Sequence, residues 1–389
     1  MKIAVIGAKG LPPKQGGIEH YCGEVYPRMV AQGHSVDLYA RSSYTEDNWF
    51  GNNYFQGVRI ISLPSFARRG VDAFLSSALG AIVATRGKYD IIHFHALGPA
   101  LFTGIASIHS AKIVVTCQGL DWQRAKWDNF SSKVILAGEK AAVKFADEII
   151  VVSEALQSYF SETYNRNTVY IPNAPASYPN SDVNFTYGKA LGLTQERYLL
   201  FLGRLVPEKC PDLLIEAFLR LQPQGWKLVL AGGISDTKAY TAQILQKVAS
   251  SKLVVFAGEL HGERLAEIVR GAGLFVLPSK IEGLPLAMLE AMREGIPVIA
   301  SDIPPHRQLL DQQRGLLFST GDIDSCVKAI DWALNHPTEL SLMAANAHRY
   351  IQRSYTWEQI TAKNLEIYQK LLSLNALIKT EPLKVEVRR

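Results

Sequence analysis

Pro278-Ser279-Lys280-Ile281-Glu282-Gly283-Leu284-Pro285-Leu286-Ala287-Met288-Leu289-Glu290-Ala291-Met292 follows the apolar run Leu274–Leu277 and precedes another, Val298–Ala300. Two short apolar runs around a segment of helical spacing read as strand, loop, helix, strand. Both runs are apolar on consecutive residues, as strands are when helices cover both faces of a parallel sheet. Pro285 suits the first helical position, where a helix leaves the N–H unpaired in any case. Glu290 then lies about one and a half turns in, roughly 7–8 Å along the axis. Glu282 sits in the loop ahead. Free N–H groups around Gly283–Leu286 can meet an anion or a sugar. Two carboxylates so spaced can accept hydroxyl hydrogen bonds at opposite ends of one extended ligand. A merely solvated Glu290 is the weaker reading, because a carboxylate in an apolar helix start is costly unless paired.

The same alternation extends outward. Further strands are predicted at Leu199–Leu202, Leu228–Leu230, Val254–Phe256 and Leu316–Phe318. Toward the start of the chain they fall at Ile3–Ile6, Val36–Tyr39, Val58–Ile61, Ile91–Phe94, Ile113–Thr116, Ile149–Val152 and Val169–Ile171. Strand–helix alternation twice over predicts two doubly wound α/β domains. Turn formers between Asn173 and Gly188 mark the division, giving an N-terminal domain over 1–175 and a C-terminal one over 190–350. Thr356-Trp357-Glu358-Gln359 has capping-box spacing and opens a helix over about 357–373 that carries Ile360, Leu365 and Tyr368. No core pattern continues past Asn375, so 375–389 reads as a flexible tail.

With 48% hydrophobic and 20% charged residues in 389, the chain is globular and long enough for two cores. The formal charge of +5 is mild, and no dense Lys/Arg stripe with interleaved aromatics appears, so no nucleic-acid partner is expected. An anionic substrate, or peripheral contact with an anionic membrane face, is compatible with it. No apolar run approaches the ~18 residues of a membrane span. Met1–Gly7 reads as a first strand rather than a signal peptide, and a cytoplasmic location is expected. Cys22, Cys117, Cys210 and Cys326 show no metal-binding or paired spacing and read as reduced, buried thiols.

Other strand exits carry chemistry too. Gly16-Gly17, before a helix, suits either a tight turn or an anion held on backbone N–H groups. His93 and His95 share one face of a strand by period two. Of these His95, nearer the carboxyl end, is expected in a cleft, with a backbone-satisfied core histidine as the alternative. Gln118, Asp121, Trp122 and Arg124 gather an amide, a carboxylate, an indole and a guanidinium after the next strand, a set able to bind a sugar or simply to build a loop. Gly203-Arg204, with Lys209, places two cations beside a strand end, suited to a diphosphate or to solvent. Asp322-Ile323-Asp324 spells a metal–nucleotide signature but starts a helix, where carboxylates cap and complement the dipole.

The span from Glu282 to Glu290 resembles the E-x7-E motif of retaining GT-B glycosyltransferases, the glycosyl transferases group 1 or family four. The resemblance covers nearly the whole chain, through Gly16-Gly17, Gly203-Arg204 with Lys209, Gly315-Leu316-Leu317-Phe318 and Trp357. Gly10-Leu11-Pro12-Pro13 with Gly16-Gly17-Ile18-Glu19, and Gly119-Leu120-Asp121-Trp122 with Lys126-Trp127, are similar to a subgroup labelled rhamnosyltransferases. The resemblance implies two facing Rossmann-like domains with a cleft between them and a last helix that crosses back to the first. It implies a donor site of Gly16, Gly17, Gly203, Arg204, Lys209, Glu282, Gly283, Leu284 and Glu290. In it Arg204 and Lys209 neutralise the leaving diphosphate, Glu290 holds the ribose hydroxyls, and Glu282 with the Gly283–Leu284 backbone holds the sugar. Gln118, Asp121, Trp122 and Arg124 fall on the acceptor side. Many members carry a histidine where this chain has Gln118, which leaves that role to His95 or to no residue.

The implied reaction is front-face displacement with retention, in which the leaving diphosphate helps deprotonate the acceptor and no enzyme carboxylate attacks. Asp121 and His95 are the two candidate bases for an inverting attack. UDP-glucose is the first donor expected and dTDP-rhamnose the second, with a glycan or lipid-linked acceptor in surface or exopolysaccharide assembly. Neither cofactor nor metal is expected. A GT-B sugar-nucleotide epimerase and a nucleotide-sugar-binding module without catalysis are the rival expectations.

Overall fold

The computed structural model describes residues 1–13, 16–45, 49–65, 71–123, 129–234 and 237–380, and its strands assort into two sheets. The first contains β1 (Lys2–Ile6), β2 (Ser35–Arg41), β3 (Asn52–Phe55), β4 (Val58–Leu63), β5 (Ile91–His95), β6 (Lys112–Cys117), β7 (Glu148–Val151) and β8 (Val169–Tyr170). Its spatial order is β3-β4-β2-β1-β5-β6-β7-β8, and only the β3–β4 ladder is antiparallel among the described residues. The second contains β9 (Tyr198–Leu202), β10 (Lys227–Ala231), β11 (Val254–Gly258), β12 (Leu274–Leu277), β13 (Val298–Ser301) and β14 (Leu316–Phe318). Its order, β11-β10-β9-β12-β13-β14, is parallel throughout. Central strands such as β5 and β12 are buried along their whole length, because helices cover both faces.

Strand order reverses direction between β1 and β5 in the first sheet and between β9 and β12 in the second. Ligands of open α/β sheets collect outside the carboxyl ends of strands at such switch points. The loops leaving these four strands are Gly7–Gly16, the turn at Ala96, Gly203–Lys209 and Pro278–Pro285. Three of them carry the sequence constellations.

Four helices set the site. Helix α1 (Gly17–Ala31) follows β1, α2 (Val71–Arg86) follows β4, α3 (Leu286–Arg293) follows β12, and α4 (Trp357–Thr380) closes the described chain. Helix α4 returns to pack on α1, with the Trp357 and His20 rings edge to face at 5.6 Å. Thr356 caps it by accepting from the Gln359 N–H at 3.3 Å, but the Gln359 amide turns to the Arg353 carbonyl, so half of the capping box forms. The helix runs on to Thr380, past the Asn375 where a tail was expected to begin; 381–389 lie outside the described residues. Helix α3 starts one residue later than expected, with Pro285 at its N-cap. β3 is absent from the sequence reading because Asn52–Phe55 is a polar, exposed edge strand. The four cysteines are free and buried.

Candidate active site

On the second sheet, the β9 and β12 exits lie side by side. The Lys280 N–H donates to the Glu208 carbonyl at 2.8 Å, stitching the two loops together. Their side chains then meet: Lys209 Nζ lies 2.7 Å from Glu282 Oε1, and the Ser279 hydroxyl donates to the same oxygen at 2.8 Å. Burial pushes the Glu282 carboxyl up, but the Lys209 charge and these hydrogen bonds outweigh it and hold the group below its ordinary value. Behind Ser279, the Ser301 hydroxyl donates to the Ser279 carbonyl, and His306 Nδ1–H donates to the Ser301 carbonyl at 2.8 Å. Burial pushes His306 down to about 4, so a neutral imidazole backs the loop.

On the first sheet, the β1 exit folds under α1. The Lys9 N–H donates to Glu19 Oε1 at 2.9 Å. Gly16 has φ 99°, and a Cβ there would fall 2.2 Å from Glu19 Oε2, so only glycine fits. The halves approach closely. A Cβ on Gly17 would lie 3.0 Å from Leu286 Cδ1, and one on Gly283 only 2.2 Å from the Gln118 carbonyl oxygen. The walls enclose a cavity of about 1720 Å³. Cations, carboxylates and a helix entrance at one seam can hold an anionic leaving group beside a hydroxyl-rich group.

Of the residues singled out from sequence, Gly16, Gly17, Gln118 and Asp121 line this cavity from the first half. Gly203, Arg204, Lys209, Glu282, Gly283 and Leu284 line it from the second. Arg124, with Lys126 and Trp127, lies outside the described residues. Trp122 packs inward, and its Nε1–H donates to the fully buried Glu139 carboxylate at 3.0 Å. It builds the loop and does not line the cavity.

The placement of His95 in the cleft is corrected. Its ring is fully enclosed, stacks on His93 at 4.3 Å, and meets the Tyr26 hydroxyl of α1 through Nε2 at 2.6 Å. Helix α1 covers this strand end, and burial pushes His95 down to about 3. His93 is held in turn by Tyr368 of α4 at 2.6 Å and Thr116 at 2.7 Å. The pair is a neutral, hydrogen-bonded core layer that seats α1.

Glu290 is half-buried and is not among the cavity-lining residues. Tyr178 donates to its Oε2 at 2.7 Å, and burial pushes the Glu290 carboxyl up to about 7. Asp322 caps its helix by accepting from the Ser325 N–H at 3.0 Å. Among the described residues no group of three His, Cys, Asp or Glu is placed to hold a metal ion, and no helix is long and apolar enough to cross a membrane.

Several residues of the site were not singled out from sequence. Asn173 lines the cavity and donates from Nδ2 to Gln118 Oε1 at 2.7 Å, which leaves Gln118 Nε2 and Asn173 Oδ1 enclosed without partners among the described residues. Arg41 pairs with Asp72 at 3.1 Å on the first-half wall, and Glu19 stands beside Gly16. Arg41 closes β2 and Asn173 follows β8 by three residues. A carboxyl-end position on a parallel strand was the available signal.

Known proteins resemble the chain along most of its length. A family model described as Glycosyl transferases group 1 matches residues 186–355, and one described as Glycosyltransferase Family 4 matches residues 15–174. An uncharacterised glycosyltransferase of Methanocaldococcus jannaschii is 26% identical over 399 residues, covering 95% of this chain and 98% of the relative. Sucrose-phosphate synthase from Thermosynechococcus elongatus has the same fold at a TM-score of 0.80 and 21% identity, over 96% of this chain and 99% of that one. Anabaena HepE in complex with UDP-glucose gives 0.76 at 19% identity, over 95% and 100%.

Proposed function

The chain belongs to the glycosyl transferases group 1 family, as a transferase of GT-B fold, and from that premise we propose that it moves glucose from UDP-glucose to a hydroxyl of a glycan or lipid-linked sugar with retention at the anomeric carbon. The observation that carries the reading is the Lys209–Glu282 pair at the seam, flanked by Arg204 and facing Gly16–Gly17 across the cavity. Lys209 and Arg204 take the diphosphate, and Glu282 with the Gly283–Leu284 backbone takes the sugar hydroxyls. Glu290 accepts the ribose hydroxyls. As the bond from the anomeric carbon to the phosphate oxygen breaks, the acceptor oxygen bonds on the same face. Its proton passes to the departing diphosphate, whose growing charge the two cations offset. Binding of UDP-glucose by a protein of the same fold supports the choice of donor. Surface-polysaccharide assembly at the inner membrane face is the setting this chemistry suits.

The test is turnover of UDP-glucose beside dTDP-rhamnose, with the anomeric proton coupling of the product read by NMR. Retained glucoside is expected. Inverted product would overturn the mechanism and return Asp121 to the role of base. Turnover of dTDP-rhamnose alone would overturn the donor.

A further inference from the structure

We propose that Tyr178, on the segment joining the two halves, is a positioning residue of the nucleotide site, its hydroxyl holding the Glu290 carboxylate ready to accept the ribose hydroxyls. The inference rests on the reading of Glu290 given above. Glu290 follows Leu286 by four residues and Ala287 by three, so it shares their helix face. Both of those residues line the cleft cavity, and Glu290 lies one turn beyond them on that face, next to the lining residues rather than among them. Its orientation there depends on what holds it. The phenol of Tyr178 does so, donating to Oε2 at 2.7 Å.

The segment is itself pinned, so the phenol is not on a loose tether. Asn173 is tied to Gln118 at 2.7 Å. The Pro175 carbonyl accepts from Arg293 at 3.3 Å, and the Pro179 carbonyl from Arg270 at 2.7 Å. Arg270 also reaches the Ser181 hydroxyl at 3.1 Å. Tyr178 packs against the core between these anchors. A carboxylate offers about four acceptor positions on its two oxygens. The phenol and the Ala176 N–H use two, so they support the group and leave room for a pair of hydroxyls.

The surroundings of Glu290 make this hydrogen bond matter. Burial raises its carboxyl to about 7, while the Tyr178 hydroxyl, the Ala176 N–H and Arg293 on its own helix resist the rise and Glu294 adds to it. Arg270, at the end of the helix Gly262–Arg270 that comes before β12, faces the cluster and pairs with Glu294 at 2.7 Å. Removing the phenol oxygen therefore drives Glu290 further toward the protonated form at neutral pH. A protonated carboxyl has lost acceptor capacity for a pair of hydroxyls.

The experiment is calorimetric titration of the full chain with UDP between pH 6 and 8.5, for wild type, Tyr178→Phe and Glu290→Gln. Taking the ratio of Tyr178→Phe to wild type at each pH cancels the ionisation of UDP. Expected is a loss of roughly tenfold in Tyr178→Phe at pH 7, the usual worth of a hydrogen bond to a charged group. The loss should shrink as pH rises, because alkali ionises Glu290 without help. Glu290→Gln should bind weakly at every pH. Wild-type affinity in Tyr178→Phe, a tighter fit, or a loss that does not change with pH would each overturn the proposal; the second would make the phenol a competitor and the third a purely structural prop. The carboxyl carbon of Glu290, followed by NMR, should titrate higher in Tyr178→Phe, and an unchanged titration would also overturn it. If wild type and Glu290→Gln bind UDP equally, the ribose reading itself falls, which is a different result from any of these.

Discussion

Lys209→Met removes the ammonium group 2.7 Å from Glu282 Oε1 and keeps most of the apolar stem. The two side chains are 18% and 11% exposed, so water screens the pair only slightly. Breaking a fully buried pair costs about 3–5 kcal/mol, because the surviving charge is stranded. An exposed pair is worth about 0.2–1 kcal/mol. The exposures place this pair nearer the buried limit, and the Ser279 hydroxyl still serves Glu282 after the substitution. The expected destabilisation is therefore about 2–3 kcal/mol. In the C-terminal half that corresponds to roughly 5–10 °C in the unfolding midpoint. Glu282→Gln removes the stranded charge, so the double variant should be less destabilised than the two single effects together, with a coupling of about 2 kcal/mol. The pH dependence has a definite sign. The Glu282 carboxyl titrates below its ordinary 4.5 in the folded state, so its stabilising contribution is present above that value and is lost as pH falls through the folded one. Urea unfolding of all four proteins at pH 7 and at progressively lower pH measures the cycle. Additivity within about 0.5 kcal/mol at pH 7, or a coupling that grows in acid, would refute the assignment of Lys209 as the partner that keeps Glu282 ionised.

Gly283→Ala puts a methyl group 2.2 Å from the Gln118 carbonyl oxygen, forcing the halves apart. At least a hundredfold loss in kcat/KM is expected, with the unfolding midpoint little changed, and wild-type turnover would contradict the close approach. Asp322→Ala removes the acceptor for the Ser325 N–H and should cost about 0.5–2 kcal/mol of stability while leaving turnover intact. Loss of a metal-dependent turnover in that variant would revive the metal–nucleotide reading of Asp322 and Asp324. Turnover should survive EDTA if, as proposed, Arg204, Lys209 and the α3 entrance meet the diphosphate; activity lost in EDTA and restored by Mg²⁺ or Mn²⁺ would overturn that.

Strands whose apolar residues run consecutively were legible from sequence, because a parallel strand buried on both faces leaves that trace; β5 and β12 are of this kind. β3 left no such trace, since Asn52 and Asn53 lie at an exposed edge. Gly16-Gly17, Arg204, Lys209 and Glu282 were legible because a residue's place just after a parallel strand already says which end of the sheet it faces. For His95 the period-two spacing holds, and the two imidazoles stack at 4.3 Å. What covers that face was not readable, because it is decided by Tyr26 and by Tyr368, which stands 275 residues from His93. Glu290 poses the same problem, as its partner Tyr178 stands 112 residues away on a stretch whose composition announces only turns.

The division of the chain into two domains therefore describes its sheets better than its site. Gln118 leaves β6 on the first sheet, but its amide is held by Asn173, where the joining segment begins. Glu290 belongs to the second half and is held by that same segment through Tyr178. The Gly16–Gly17 entrance sits on α1, and α1 is seated on β5 by the Tyr26–His95 contact and on α4, the last helix of the described chain, by Trp357. Each wall of the cavity is thus aligned by residues that sequence distance would assign elsewhere. In the proposed reaction, where two cations, a carboxylate and a helix entrance are set around one departing diphosphate, such alignment would be the protein's main contribution, because donors fixed in advance need no reorganisation as charge develops.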